Sequence, residues 1–234
     1  MKSRVGRVAT SNVRARPRRL KEPVAPKLPN SLAEAGASDA DLADDGVYLS
    51  ALYGNLDLSA QDVEDVEFER CRFQETRFSG TMMRRAGFAD VEFTSCDLAN
   101  LKLIDSRIFN AVVDGSRLTG TSMTECGLRD VLFTNCRADL SSFRFGRLKS
   151  VVFRDCNLTD ANFQGAELGG VRFERCKLTG AQFSNANMKG TRLSDCDLYG
   201  VNGIQSFQGA IVPTADAQGL LFALASAMGI TIED

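Results

Sequence analysis

The chain has no histidine among its 234 residues. It therefore lacks the commonest general base and the commonest metal ligand of proteins. Ser–His and Cys–His catalytic triads are excluded, and so are zinc sites that contain histidine. No two cysteines have the two-residue spacing of a zinc motif, and no phosphate-binding loop is present. These absences predict a protein that is not an enzyme, with no cofactor and no metal.

Long hydrophobic runs are also missing. The longest apolar stretch runs from Leu220 to Met228, whereas a membrane-spanning helix needs about 20 residues. The first 30 residues lack the apolar segment of a secretory signal. The sequence predicts no transmembrane segment.

Charge is unevenly distributed, although the net charge is only −2. Residues 1–30 carry nine bases and one acid, and residues 31–65 carry nine acids and no base. Residues 1–45 are therefore expected to form a flexible, disordered arm, basic and then acidic, although an organelle transit peptide has a similar composition. The basic part could bind nucleic acid or an anionic surface, or fold back on the acidic segment 31–65. Its candidate contact residues are Arg14, Arg16, Arg18, Arg19 and Lys21.

A repeat of five residues dominates the rest of the chain. All 27 positions numbered in steps of five from Phe68 to Leu198 are apolar. The position two residues earlier is almost always small, with Leu101 as the one large exception, and the position two residues later is rich in Gly and Asn. Because Gly and Asn tolerate positive φ, this pattern predicts a corner after every five residues. Four sides then close a square coil of 20 residues, and successive coils stack about 4.8 Å apart.

Segments such as CDLAN (96–100), ANFQG (161–165) and ANMKG (186–190) resemble the motif of the pentapeptide-repeat family. The resemblance covers residues 56–203 and implies a right-handed quadrilateral β-helix, an all-β fold. Ala138, where a large inward residue is missing, and Leu101 depart from the pattern and are expected to distort the core locally.

The ends of the β-helix need covers, because an open end is an unpaired sheet edge. We assign residues 46–203 to the β-helix, with residues 46–65 as a degenerate first coil, and residues 204–234 to a C-terminal segment. Pro213, Thr214 and Gly229 predict a short helix there. Its apolar residues are predicted to cap the last coil, and the family resemblance implies a second role in a homodimer. These residues are Leu220, Leu221, Leu224 and Met228.

All seven cysteines lie in the small inward column, where free thiols act as small apolar side chains. Structural thiols indicate a reducing compartment, so a cytoplasmic location is expected.

Val112, Leu132 and Val152 occupy equivalent outward positions 20 residues apart and are predicted to form an exposed apolar column. Phe109, Leu140 and Phe145 are also predicted to face outward. Contiguous exposed apolar surface is typical of an interaction site, so we expect a partner or the arm to contact it. Alternatively, the N-terminal segment or the β-branched ladder itself covers the column.

The leading functional hypothesis is a non-enzymatic scaffold that presents a rigid rod to a macromolecular partner, with protein the favoured class. The family resemblance implies one specific alternative, binding to DNA gyrase with protection from quinolones. Members with that activity imitate DNA, whereas residues 66–200 of this chain carry 19 bases and 17 acids. A second alternative is attachment to nucleic acid or an anionic surface through the basic arm.

Overall fold

The computed structural model describes residues 21–233, which form a parallel β-solenoid of about eight turns. Within these residues the chain forms fifteen strands and one α-helix, with three short 3₁₀ helices at Ala37–Ala40, Ile204–Phe207 and Asp216–Leu220. The strands are β1 (Ala33–Glu34), β2 (Val47–Leu49), β3 (Ala51–Gly54), β4 (Asp62–Glu64), β5 (Glu67–Glu69), β6 (Arg72–Gln74), β7 (Met82–Arg84), β8 (Gly87–Thr94), β9 (Lys102–Ile104), β10 (Arg107–Asp114), β11 (Ser122–Thr124), β12 (Gly127–Thr134), β13 (Arg147–Arg154), β14 (Arg172–Glu174) and β15 (Arg192–Ser194). The α-helix, α1, spans Leu221–Ala227.

Pairing between strands confirms the 20-residue coil. β8, β10, β12 and β13 are joined in parallel, and each residue pairs with the residue 20 positions further along the chain. We number the four sides 1 to 4 by their first inward residues, which are Phe68, Phe73, Phe78 and Met83. The long strands β8, β10, β12 and β13 each run along side 1, turn a corner and continue along side 2.

The corners are made by residues with positive φ at every fifth position. Gly, Asn and Asp fill many of these corners because they tolerate the left-handed region with little strain. Arg and Glu occupy several other corners, whereas Leu140 and Phe145, with φ of 58° and 56°, are the large apolar residues at corners within residues 21–233.

The core is a stack of inward side chains. On side 2 the ring of Phe153 lies parallel to those of Phe133 and Phe173, with centroids 4.8 and 5.2 Å away. Small inward residues complete the layer, and their donors satisfy backbone carbonyl groups of the preceding coil. The Thr76 hydroxyl donates to the carbonyl oxygen of Tyr53 at 2.7 Å, and the Cys96 thiol contacts that of Phe73 at 3.4 Å. Thr and Cys therefore make equivalent contacts in this column.

The two departures from the repeat do not interrupt the ladder. Ala138 and Leu101 are both buried, and the bridges from Arg117 through Arg137 to Asn157 continue past Ala138. Leu101 borders a core cavity of about 20 Å³ where aliphatic side chains replace the aromatic stack.

The two ends differ from the sequence prediction in informative ways. Residues 21–45, which we assigned to the flexible arm, contact the β-helix, because β1 pairs with β3 and Leu42 is buried in the core. At the C-terminus the helix ends before Gly229, whose φ is 72°, as predicted. However, Leu220 and Ala223 pack against the core, whereas Leu221, Leu224 and Met228 are exposed. Of the four residues predicted as a cap, only Leu220 therefore packs against the core. The other three are exposed, because only one face of so short a helix reaches the last coil.

The aromatic stack predicts a large loss of stability on truncation. We expect Phe153→Ala to lower the free energy of unfolding by about 3–5 kcal/mol, because it removes the ring and leaves a cavity between two others. Urea denaturation followed by circular dichroism measures the change. Leu49→Ala, at a side chain that is 51% exposed, is the control and should change stability by about 0.5 kcal/mol or less. Equal effects of the two variants would contradict this account of the core.

Candidate interaction surfaces

The predicted apolar column is present, but it is not fully exposed. Val112, Leu132 and Val152 are paired in register on side 2. Val152 is only 2% exposed, and Val112 and Leu132 are half-buried. The prediction that Val152 is exposed is therefore wrong. Arg172 pairs with Val152 in the ladder and contacts Glu22 near the N-terminus, in line with the alternative in which the N-terminal segment lies against the column.

We call residues 21–30 the strap. The Lys27 amide donates a hydrogen bond to Asp90 Oδ1 at 2.9 Å, and the Val24 amide approaches Asp130 Oδ1 at 3.4 Å. Asp90 and Asp130 are corner residues two coils apart, between sides 1 and 2. The strap thus runs lengthwise across the coils.

Proline spacing explains why this segment suits a lengthwise path. Pro23, Pro26 and Pro29 recur every three residues, which favours an extended polyproline II conformation that advances about 9 Å in three residues. Two stacked coils span about 9.6 Å. Amide groups three residues apart in the strap therefore reach corner residues that lie two coils apart. The proline period was visible in the sequence, but its match to the coil spacing was missed.

Glu22 fixes one end of the strap. Its carboxylate contacts Arg172 at 2.9 Å and Arg154 at 3.0 Å, and Glu174 contacts the same two arginines at 3.1 and 2.8 Å. Arg172 is only 6% exposed, so its charge needs these partners. Burial of Glu22 opposes its ionisation, but the hydrogen bonds and charges of Arg172 and Arg154 outweigh this and hold the pKa of Glu22 below its usual value of 4.5.

Of the predicted basic arm, only Lys21 lies within the described residues. It is exposed and borders a cavity of about 400 Å³ together with Lys149, Arg172 and Arg192. Arg14, Arg16, Arg18 and Arg19 lie outside the described residues.

Leu140 and Phe145 form what we call the corner patch, at the two ends of side 4 in one coil. They are 61% and 48% exposed. Arg144 lies over the ring of Phe145, with its guanidinium carbon 5.2 Å from the centroid. The same ring lies over Gly165 of the next coil, where a Cβ atom would come within 2.5 Å of it. Glycine at 165 thus allows Phe145 to lie flat on the surface.

Phe109, on side 1, is 39% exposed and also contacts an arginine. The guanidinium carbon of Arg129 lies 5.3 Å from the centroid of its ring. The outward orientation predicted for Phe109, Leu140 and Phe145 agrees with these exposures.

The seven cysteines are buried and free. Burial raises the pKa of Cys96 and Cys126 to about 11, which keeps these thiols protonated and unreactive at neutral pH. In the described part of the chain, no group of three or more Cys, Asp or Glu side chains is arranged to hold a metal ion.

The C-terminal segment presents a second apolar surface. Leu221, Phe222, Leu224 and Met228 are between 47% and 75% exposed. Between residues 21 and 233, no helix is long and apolar enough to cross a membrane.

Two family models match parts of the chain. The family described as the pentapeptide repeat region matches residues 86–163 and 141–203, and that described as the SV2A/B/C luminal domain matches residues 39–113. One similar solved structure is HetL, a pentapeptide repeat protein involved in heterocyst differentiation regulation in the cyanobacterium Nostoc. The two chains are 16% identical over 69% of this chain and 90% of HetL, with a TM-score of 0.44.

Another similar structure is full-length QnrB1, a plasmid-mediated fluoroquinolone resistance protein. It is 18% identical over 76% of this chain and 99% of its own, with a TM-score of 0.37. The search of curated proteins found no match.

The Glu22 contacts predict that one charge holds the strap in place. We expect Glu22→Gln to speed amide hydrogen exchange at Val24 and Lys27, measured by mass spectrometry on peptides from residues 21–30. Because the pKa of Glu22 is lowered in the folded protein, its carboxylate stabilises the docked strap above pH 4.5. That contribution is lost as the pH falls through the lowered pKa. Exchange in the variant identical to that of the wild type at pH 7 would contradict this role.

Proposed function

Because the chain belongs to the pentapeptide-repeat family, we propose that it is a non-enzymatic binding protein that presents its rigid β-helical rod to a protein partner. The coils pair backbone to backbone, and the large side chains fill the interior. The outward positions contribute little to the core, so their side chains are free to serve recognition.

The corner patch is the observation that carries this proposal. Left-handed backbone at a residue with a large side chain costs about 1–2 kcal/mol relative to glycine. Leu140 and Phe145 both adopt it, and both leave about half or more of their surface in water. Asn or Gly would relieve this strain, so the fold itself gains little from these two side chains. Arg and Glu at other corners share this backbone conformation but carry charges that suit water, whereas Leu140 and Phe145 place apolar surface there, which is typical of an interaction site.

The composition of the corner patch supports a protein partner. Aromatic and arginine side chains are enriched in protein interfaces, and Phe145 and Arg144 form a stacked pair at one end of side 4, with Leu140 at the other end. We place the protein in the cytoplasm, because a reducing compartment suits its buried free thiols.

DNA gyrase is a second candidate partner, proposed from the family resemblance alone. Duplex DNA carries one negative charge per about 1.7 Å, whereas residues 66–200 carry two more bases than acids. A gyrase supercoiling assay with and without a quinolone tests this candidate. Deleting residues 1–20 tests the alternative of binding through the basic arm.

We also propose that the exposed face of α1 contacts a second copy of the chain. The face consists of Leu221, Leu224 and Met228, with Phe222 beside Tyr199 at a ring-centroid distance of 6.2 Å. Such a contiguous apolar surface is typical of an interaction site.

Substitution of the corner patch separates binding from folding. We expect the double variant Leu140→Asn/Phe145→Asn to keep or raise the melting temperature, because Asn tolerates positive φ. The same variant should lose a partner that the wild type captures from an extract of its own organism. Purified as a single protein, that partner should bind the double variant at least about tenfold more weakly, or about 1.4 kcal/mol.

Glu75→Asn is the matched control, since Glu75 is an exposed corner residue with a φ of 51°. It should bind the partner like the wild type. Equal binding by the double variant and the control would overturn the proposal.

For the homodimer, we expect Leu224→Asp/Met228→Asp to halve the mass measured by sedimentation equilibrium. The added carboxylates would be desolvated in the contact between copies. The control is Ile104→Asp on side 4, at an apolar side chain that is 39% exposed. A wild-type protein that sediments as a monomer would refute the dimer.

A further inference from the structure

Side 1 carries a concentrated group of cations on three consecutive coils. β10, β12 and β13 bring six outward residues into register, four of them basic and none acidic. We call them the basic face: Arg107, Phe109, Gly127, Arg129, Arg147 and Lys149.

Gly127 leaves a hollow at the centre of the basic face. The hollow has a volume of about 360 Å³ and an apolar floor, with Ile108 and Leu128 beneath it. Phe109 forms one wall, with Arg129 stacked against its ring. The site therefore combines an apolar recess with a ring of cations, and it suits a ligand that has an apolar group flanked by negative charges.

Elsewhere many arginines pair with a carboxylate of a neighbouring coil. Arg72 pairs with Glu92 at 2.8 Å, and Arg175 pairs with Asp155 at 2.7 Å. On the basic face only Arg129 has an ion-pair contact within residues 21–233, and that contact is with the next residue of the same coil, Asp130, at 3.4 Å. Arg107, Arg147 and Lys149 have no ion-pair partner within residues 21–233.

Acidic residues bound the basic face on every edge. Asp105 and Glu125 lie at the corner with side 4, and Asp130 lies at the corner with side 2. Along the axis, Glu67 and Glu69 lie two coils before Arg107 and Phe109, and Glu167 lies one coil after Arg147. A nucleic acid strand that continued along the rod would meet these carboxylates, whereas a short acidic segment fits between them. Residues 1–20 carry seven bases and no acid, so this chain's own N-terminus has the wrong charge to bind there.

We propose that the basic face binds a short acidic segment of the protein partner, with one apolar side chain of that segment seated over Gly127 and flanking carboxylates paired with Arg107, Arg147 and Lys149. This inference rests on the protein-binding function proposed above and adds the chemistry of the partner. Burial of an apolar side chain gives affinity, and the surrounding charge pairs give orientation and specificity.

The test starts from a displayed library of random heptapeptides selected on the full-length protein. We expect the enriched peptides to carry Asp or Glu on both sides of Phe, Leu or Tyr. Gly127→Leu fills the hollow and fits the strand, because its Cβ atom would lie 4.0 Å from the nearest neighbour, Arg107 Cγ. Binding of the most enriched peptide, measured by fluorescence polarisation, should weaken at least about tenfold in this variant. Replacing the central apolar residue of the peptide by Ser should have the same effect.

Gly54→Leu is the matched control, since Gly54 is also a strand glycine with open space around its Cβ position. It should bind the peptide like the wild type. Selection of peptides without acidic residues, unchanged binding by Gly127→Leu, or stronger binding of a thymidine oligonucleotide would overturn the inference. So would a change in the sedimentation of Gly127→Leu alone, which would show that a second copy occupies the face. If no acidic peptide is selected while the corner-patch variant still loses its partner, the binding function stands and this inference fails.

Discussion

Backbone pairing between coils is the interaction on which the rest of the molecule depends. Between residues 47 and 202, residue i meets residue i + 20 along all four sides, so every coil in this range must hold the same number of residues. That requirement places a left-handed corner at each fifth residue and a large side chain midway between corners. Interior and corner positions therefore accept few residue types, and the repeats of this chain differ mainly at their outward positions.

Outward positions follow the same register, so each surface residue has its nearest neighbours one coil away. Oppositely charged neighbours pair along the axis, as Arg154 and Glu174 do. A short group of residues that breaks this pairing, such as the basic face, is then distinct from its surroundings. The corner patch is distinct for another reason, because large apolar residues occupy corners that elsewhere hold small or polar residues. One regular frame thus carries two different local surfaces without a loop or an insertion.

The fold was predictable because its signal repeats in one register. Phe153 is inward for the same reason as Phe133 and Phe173, so each repeat confirms the next. Ala138 and Leu101 did not change the predicted fold, since backbone pairing continues through isolated exceptions to the repeat. Contact of the arm with the apolar column, or cover of that column by the N-terminal segment, was an alternative that the sequence left open. The lengthwise path of the strap was not predicted, because its contacts join residues more than 60 positions apart. Val152 was predicted to be exposed, and it is buried. At α1 the apolar residues were recognised. Which of them face the last coil was not predicted, because that depends on the path of residues 204–220.

The lengthwise course of the strap changes how such a rod should unfold. A solenoid in which each coil touches only its neighbours behaves as a one-dimensional array, and its ends fray independently of its middle. The strap contacts corner and side residues of several coils and continues into β1, which pairs with the first turn. It therefore links coils that do not touch one another. Unfolding of a middle coil also breaks its contacts with the strap, which is joined to the first turn through β1. The coils are therefore expected to unfold together, as the parts of a globular domain do.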